Sequence, residues 1–283
     1  MRIIESISEM QQTAESWRRE GKRIALVPTM GYLHEGHLEL MRAIRNRGDV
    51  LVTSIFVNPA QFGPGEDFER YPRDLERDLR LATQAGTDIA FIPPMKDMYP
   101  EEYQTFITVT EVTAPLCGRS RPAFFRGVAT VVAKLFHIVR PHTAVFGEKD
   151  FQQLVTIRRM VRDLNMDIEV IGHPTVREAD GLAMSSRNAY LTPEQRQKAI
   201  RLSRSLKMAQ TLVEEGEKTG EVILKKVREV LAEGDEVRID YVQLCDPETL
   251  REAARIDGPT LLALAVHVGV ARLIDNCVLN PSA

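Results

Sequence analysis

Cysteine is scarce in this chain and thinly spread. Cys117, Cys245 and Cys277 are the only three in 283 residues. They form no CxxC pair and have no histidine at metal-ligand spacing, which excludes a disulfide scaffold and a zinc knuckle and predicts reduced, buried thiols. A dominant charge is missing too. Lys and Arg number 37 against 40 Asp and Glu, a net charge of -3, and the signs alternate along the chain, so no basic surface for nucleic acid is expected. Long apolar runs are absent: none approaches the roughly 18 residues of a membrane helix. The opening residues Ile3, Ile4, Ile7 and Met10 stand among polar neighbours, unlike the basic-then-apolar order of a secretory signal. A soluble cytoplasmic protein with no nucleic-acid or membrane partner is the expectation.

What is present is a foldable chain of ordinary globular composition, 43% hydrophobic and 27% charged, long enough for one large domain or two moderate ones. Apolar runs at 23–27, 50–57, 88–92, 143–146 and 168–171 read as strands, and amphipathic stretches near 38–44, 72–84, 127–139 and 150–164 read as helices between them. That alternation predicts an α/β fold: a Rossmann-like, doubly wound parallel sheet with ligands at the carboxyl ends of its strands. The rhythm changes near 175. Two polar helices, 193–214 and 220–233, precede apolar runs at 237–244, 260–268 and 270–274, which read as a small antiparallel sheet. The predicted domains are therefore 1–175, Rossmann-like, and 176–283, a smaller α+β domain.

The segments that follow the strands carry the chemistry. After the first comes PTMGYLHEGH, 28–37, at the point where a helix N-terminus offers free N–H groups to phosphate. Neither GxGxxG nor GxxxxGK[ST] is present, so a dinucleotide cradle and a P-loop are disfavoured. His34 and His37 can donate to phosphate oxygens, with Gly36 leaving room; on its own, HxGH also fits two surface histidines or a metal site, but further metal ligands are not evident nearby. Ser185, Ser186 and Arg187 form a hydroxyl-rich loop able to close over a triphosphate as a lid, or simply a turn with a capping serine. Lys149, at a strand end, can neutralise phosphate charge or be a solvated charge, and Asp150 beside it can be an N-cap. Gln153 faces the same crevice, and Gln61, in FVNPAQF, can both donate to and accept from a hydroxy acid.

Taken together and in order, PTMGYLHEGH (28–37), SIFVNPAQFGPGEDFERYPR (54–73), FGEKDFQQL (146–154) and READGLAMSSRN (177–188), with RLIDN (272–276) near the end, resemble the pantothenate synthetase family, the pantoate–β-alanine ligases of the HxGH nucleotidylyltransferase superfamily. The resemblance implies ligation of pantoate to β-alanine through a pantoyl-adenylate, with ATP consumed, AMP and pyrophosphate released, Mg2+ in attendance, and a homodimer. It also implies roles. Met30, His34, His37, Gly147, Lys149, Asp150, Val176, Met184, Ser185, Ser186 and Arg187 match ATP-site positions; of these, His34, His37, Lys149, Ser185, Ser186 and Arg187 are expected to stabilise the reacting phosphate. Gln61 and Gln153 match positions for pantoate or β-alanine. No metal ligand is assigned. The family's RPGHF segment is RPAFF here, 121–125, so Phe124 stands where a histidine is usual and removes any polar role there.

The chemistry fits the absence of a catalytic triad. A carboxylate is already ionised at neutral pH, so its attack on the α-phosphorus needs alignment and charge neutralisation, with no general base. A nucleotidylyltransferase and a non-catalytic nucleotide-binding module remain as other readings of the residues alone.

Overall fold

Strands buried on both faces must be apolar throughout, and the apolar runs of the N-terminal half meet that condition in a single parallel sheet. The computed structural model describes residues 1–234 and 237–281; of the predicted second domain, 235–236 and 282–283 lie outside the described residues. The sheet holds β1 (Arg2–Ile4), β2 (Ile24–Thr29), β3 (Val50–Ile55), β4 (Ile89–Phe91), β5 (Thr143–Gly147) and β6 (Glu169–His173) in the order β1-β4-β3-β2-β5-β6, every pair parallel. Every residue of β3 is buried. The order reverses direction at β2, whose neighbours are β3 on one side and β5 on the other.

Helices flank this sheet. α1 (Ile7–Arg19) packs on α6 (Phe124–Val139), and both touch β2. α2 (Glu35–Ile44) and α3 (Leu75–Gln84) cover Ala25, Val27 and Leu51 with Leu38, Met41, Ile44 and Ala82. Single-turn helices α4 (Met95–Met98) and α5 (Cys117–Ser120) precede α6, and α7 (Phe151–Asp163) follows β5. The pair β1 and α1 went unread in the sequence: β1 is three residues long, and α1 buries only Met10 and Ala14, too faint a stripe to declare a helix.

The predicted helix 193–214 is two helices, α8 (Pro193–Ala199) and α9 (Arg201–Glu214). Ile200 between them keeps helical angles, φ -60 and ψ -23. Ser203 Oγ donates to the Ile200 carbonyl at 3.0 Å, a local bond that competes with the helix ladder. α10 (Gly220–Leu231) precedes an antiparallel sheet of β7 (Val237–Cys245), β8 (Thr260–Val268) and β9 (Ala271–Leu279), with β8 central. Leu262, Leu264 and Val266 of β8 pack against Leu202, Leu206, Ile223 and Val227 of the helices.

The chain forms two compact units: Met1–Val109 with Arg121–Glu148 and Thr156–Pro174, and Thr110–Ser120 with Lys149–Val155 and Thr175–Ala283. Lys149 and Gln153, from the segment between β5 and α7, thus group with the C-terminal residues. All three cysteines are unbridged, and burial pushes the Cys245 and Cys277 thiols up to about 12, which leaves them unreactive near neutrality. No helix among the described residues is long and apolar enough to cross a membrane.

Candidate active site

In the first unit the site residues follow β2, β3 and β5, neighbours in the sheet, at their carboxyl ends. The chain leaves β2 through a tight turn in which Gly31 and Tyr32 both take positive φ, +79 and +48. Asp78 of α3 holds that turn: its carboxylate accepts the Tyr32 and Leu33 N–H groups, each at 2.7 Å, and its side chain is 2% exposed. A Cβ on Gly31 would lie 2.9 Å from the same carboxylate. Burial pushes the Asp78 carboxyl above its ordinary 3.8, with the two N–H donors pulling it back down. Arg77 adds a bond from its guanidinium to the Leu33 carbonyl, 2.7 Å.

The turn delivers His34 to the N-cap of α2, in extended conformation, with His37 on the first helical turn. Their rings lie 4.0 Å apart, centroid to centroid. The His34 backbone N–H points to His37 Nδ1 at 3.4 Å. In a neutral imidazole an accepting Nδ1 leaves the proton on Nε2, so His37 is set up as an Nε2–H donor. Met30 precedes this turn, and Gly147 ends β5 with open space where a Cβ would stand.

Gln61 sits on a single 3-10 turn, Pro59–Gln61, beyond β3, and is buried. Asn58 orients it by donating to Gln61 Oε1 at 3.1 Å, while Gln61 Nε2 lies 3.0 Å from Met30 Sδ. Asn58 is itself fixed by the Gly127 carbonyl at 3.1 Å and by the Tyr99 hydroxyl, which donates to Asn58 Oδ1 at 2.8 Å. Burial pushes the Tyr99 phenol well up, keeping it a donor. α6 reaches this turn only because position 127 is glycine: a Cβ there would stand 2.1 Å from the Ala60 carbonyl oxygen. Arg121 donates to the Gln61 carbonyl at 3.1 Å and pairs with Glu66. Phe124, where the family has histidine, lies under the Arg121 guanidinium at 3.9 Å and so serves as a stacking platform.

In the second unit, Lys149 and Asp150 lie on a 3-10 turn before α7, with Lys149 Nζ 3.5 Å from Asp150 Oδ2. The two glutamines that open α7 differ sharply. Gln152 is buried, taking the Cys117 N–H at 3.1 Å and donating to the Val112 and Pro115 carbonyls at 3.0 and 2.8 Å, whereas Gln153 is half-buried. Val176 and Met184 are brought together by a backbone bond, Met184 N–H to the Val176 carbonyl at 3.0 Å. Ser185 caps the short 3-10 helix Ser186–Tyr190, its hydroxyl accepting the Arg187 N–H at 3.2 Å. Arg187 is half-buried, and Ser186 is buried.

Asn58, Asp78, Tyr99 and Arg121 escaped the sequence reading; each acts by holding another residue, and only the tertiary structure identifies its partner. Among the described residues, no three or more Asp, Glu, His or Cys side chains group to hold a metal.

A family model described as pantoate-beta-alanine ligase matches residues 2–278. The chain is 69% identical to a pantothenate synthetase of Syntrophobacter fumaroxidans over 283 residues, all of both chains. It is 59% identical to one of Geobacter sulfurreducens over 280 residues, 99% of each. Its fold is similar to a crystal structure of pantothenate synthetase from Thermus thermophilus at 46% identity, with a TM-score of 0.94 over 99% of this chain and 100% of that one. It is also similar to a pantoate-beta-alanine ligase from Francisella tularensis, solved with β,γ-ATP and β-alanine, at 32% identity and a TM-score of 0.82 over 98% and 97% of the two chains.

Proposed function

Since the chain belongs to the pantoate–β-alanine ligase family, we propose that the residues described above carry that family's reaction in two steps. The enzyme joins pantoate to β-alanine and converts ATP to AMP and pyrophosphate. In the first step the pantoate carboxylate attacks the α-phosphorus, forming a P–O bond as pyrophosphate leaves. In the second the β-alanine ammonium first gives a proton to solvent, the free amine attacks the acyl carbon, AMP departs with the bridging oxygen, and the new amide nitrogen sheds its second proton.

Roles follow from chemistry and family position. Gln61, oriented by Asn58, offers its amide to the pantoate hydroxyl and carboxylate, with Gln153 as its companion. His37, donating from Nε2, and His34 neutralise charge gathering on the α-phosphate, and Lys149, Ser185, Ser186 and Arg187 act on the triphosphate. Met30, Gly147, Asp150, Val176 and Met184 line the nucleotide. Mg2+ arriving with the nucleotide would supply further charge neutralisation. The Ser185–Arg187 loop closes as a lid that keeps water from the adenylate.

The observation that carries this reading is the N-cap histidine pair after β2, with His37 Nδ1 facing the His34 backbone N–H, and the bare Gly147 end of the neighbouring strand β5, at the sheet's direction reversal. Incubation with ATP, Mg2+, pantoate and β-alanine tests it: AMP and pantothenate are the expected products. Pantoate labelled with 18O in its carboxylate should pass one labelled oxygen to AMP; unlabelled AMP would exclude the adenylate. The enzyme is further proposed to be cytoplasmic, which cell fractionation checks, and a homodimer, which light scattering on the purified chain checks.

A further inference from the structure

RLIDN, the one sequence motif with no part in the chemistry above, supplies the second unit with an anchor. We infer that Asp275 and Asn276, adjacent on β9, are positioning residues that tie the Lys149 segment and the serine–arginine loop to one strand and thereby set the affinity for ATP. The inference rests on the proposed roles of Lys149, Ser185, Ser186 and Arg187.

Consecutive side chains of a strand point to opposite faces, so these two neighbours reach in different directions. Asp275, whose side chain is 1% exposed, takes the Arg177 guanidinium in a two-pronged pair, at 2.7 and 3.0 Å. The same guanidinium donates to the Gly181 carbonyl at 3.1 Å, and Arg177 bridges to Ala183 in antiparallel fashion. Asn188 closes the far end, donating to Glu178 at 2.7 Å and to the Ala183 carbonyl at 3.1 Å. The loop of Ser185–Arg187 thus lies inside a segment, 177–188, whose place is inherited from Arg177. Asn276 serves the other segment, its side-chain amide donating to the Lys149 carbonyl at 2.9 Å. β9 is a firm base for both, pairing residue for residue with β8, Leu264 opposite Asp275 and Ala263 opposite Asn276. Precise placement of charge-neutralising groups is what a reaction without a general base depends on.

The test uses the full chain carrying Asn276→Asp, which keeps the shape but turns an oxygen onto the Lys149 carbonyl, Asn276→Ser, which removes the donor, or Asp275→Asn. ATP binding with Mg2+ in the absence of pantoate, pantoate-dependent exchange of pyrophosphate into ATP, and thermal midpoint are measured for each. Expected are losses of about ten-fold or more in ATP affinity and exchange rate, with the pantoate KM little changed throughout and the thermal midpoint little changed in the Asn276 variants; Asp275→Asn, which leaves the Arg177 guanidinium without its buried charge partner, should also lower the midpoint. ATP affinity and exchange close to those of the unsubstituted chain in a folded Asn276 variant would overturn the inference. So would a parallel loss for ATP and pantoate with a lowered midpoint, the mark of general loosening. If the unsubstituted chain binds ATP yet exchanges no pyrophosphate, the proposed function fails, while the variants' ATP affinities still decide the positioning role.

Discussion

Asp78→Ala should damage both stability and catalysis, by an amount the geometry allows one to work out. The carboxylate satisfies two backbone N–H groups, on Tyr32 and Leu33. Leu33 is fully buried, so its N–H loses its partner with no water to replace it, while half-buried Tyr32 is partly compensated. At about 1–3 kcal/mol for each unsatisfied buried donor, the loss is about 2–4 kcal/mol, reduced by about 1 kcal/mol because a desolvated charge is removed with it. Asp78→Asn keeps one acceptor but sets its NH2 against the other N–H, for about 1–2 kcal/mol. Urea unfolding followed by fluorescence of Trp17, the sole tryptophan, reports on the unit that holds Asp78. The pH dependence has a definite sign. With the native pKa raised above 3.8, the folded chain binds the proton more tightly than the unfolded one, so this residue's contribution falls as pH rises from 3.8 through the native value; Asp78→Asn removes that slope. The turn also sets His34, so kcat/KM for ATP should fall by about 10–100-fold. An Asp78→Ala protein within about 0.5 kcal/mol of the parent and with unchanged kcat/KM would refute the reasoning.

Four further outcomes are expected. His37→Ala and Lys149→Ala should each slow adenylate formation by about 100-fold with folding intact; pyrophosphate release in single-turnover experiments measures this. Gln61→Ala should raise the pantoate KM by about ten-fold or more and leave the ATP KM nearly unchanged, as steady-state kinetics will show. Gly127→Ala should cost about 1–3 kcal/mol and impair pantoate use, since its Cβ meets the Ala60 carbonyl at 2.1 Å; denaturation and pantoate titration check both parts. His142 Nδ1 accepts the Ile24 N–H at 2.9 Å, and burial, then Arg18 and Arg23, lower its pKa below 6.5. The native state binds that proton less readily than the unfolded chain, so stability present above 6.5 should be lost as pH falls through the lowered native value, and His142→Gln should flatten the urea-midpoint profile.

The sheet was legible because its strands are apolar on both faces and the segments that follow them break the pattern with Pro, Gly and His. The segments that carry His34, His37 and Gln61 stood out for the same reason, since a residue just past a strand end occupies a place in space that sequence order alone specifies, whereas Met30 was singled out only through the family resemblance. Asp78 had no such signal, since an acid in the first turn of α3 also reads as a dipole partner. Its real partners lie 45 and 46 positions away. Arg121 and Phe124 likewise became a stacked pair only in three dimensions. The extension of β9 to Leu279, beyond the predicted 270–274, was hidden because Asp275 and Asn276 interrupt its apolar run, their polarity absorbed by Arg177 and Lys149.

The contact of Gly127 with the Pro59–Gln61 turn makes mutational tolerance one-sided. What α6 meets is the main-chain carbonyl of residue 60, an atom that substitution there does not remove, whereas a side chain at position 127 would run into it. Drift or redesign at Ala60 therefore leaves this contact atom in place, while a homologue that has lost the glycine must have moved the turn, and with it the side chain of its glutamine.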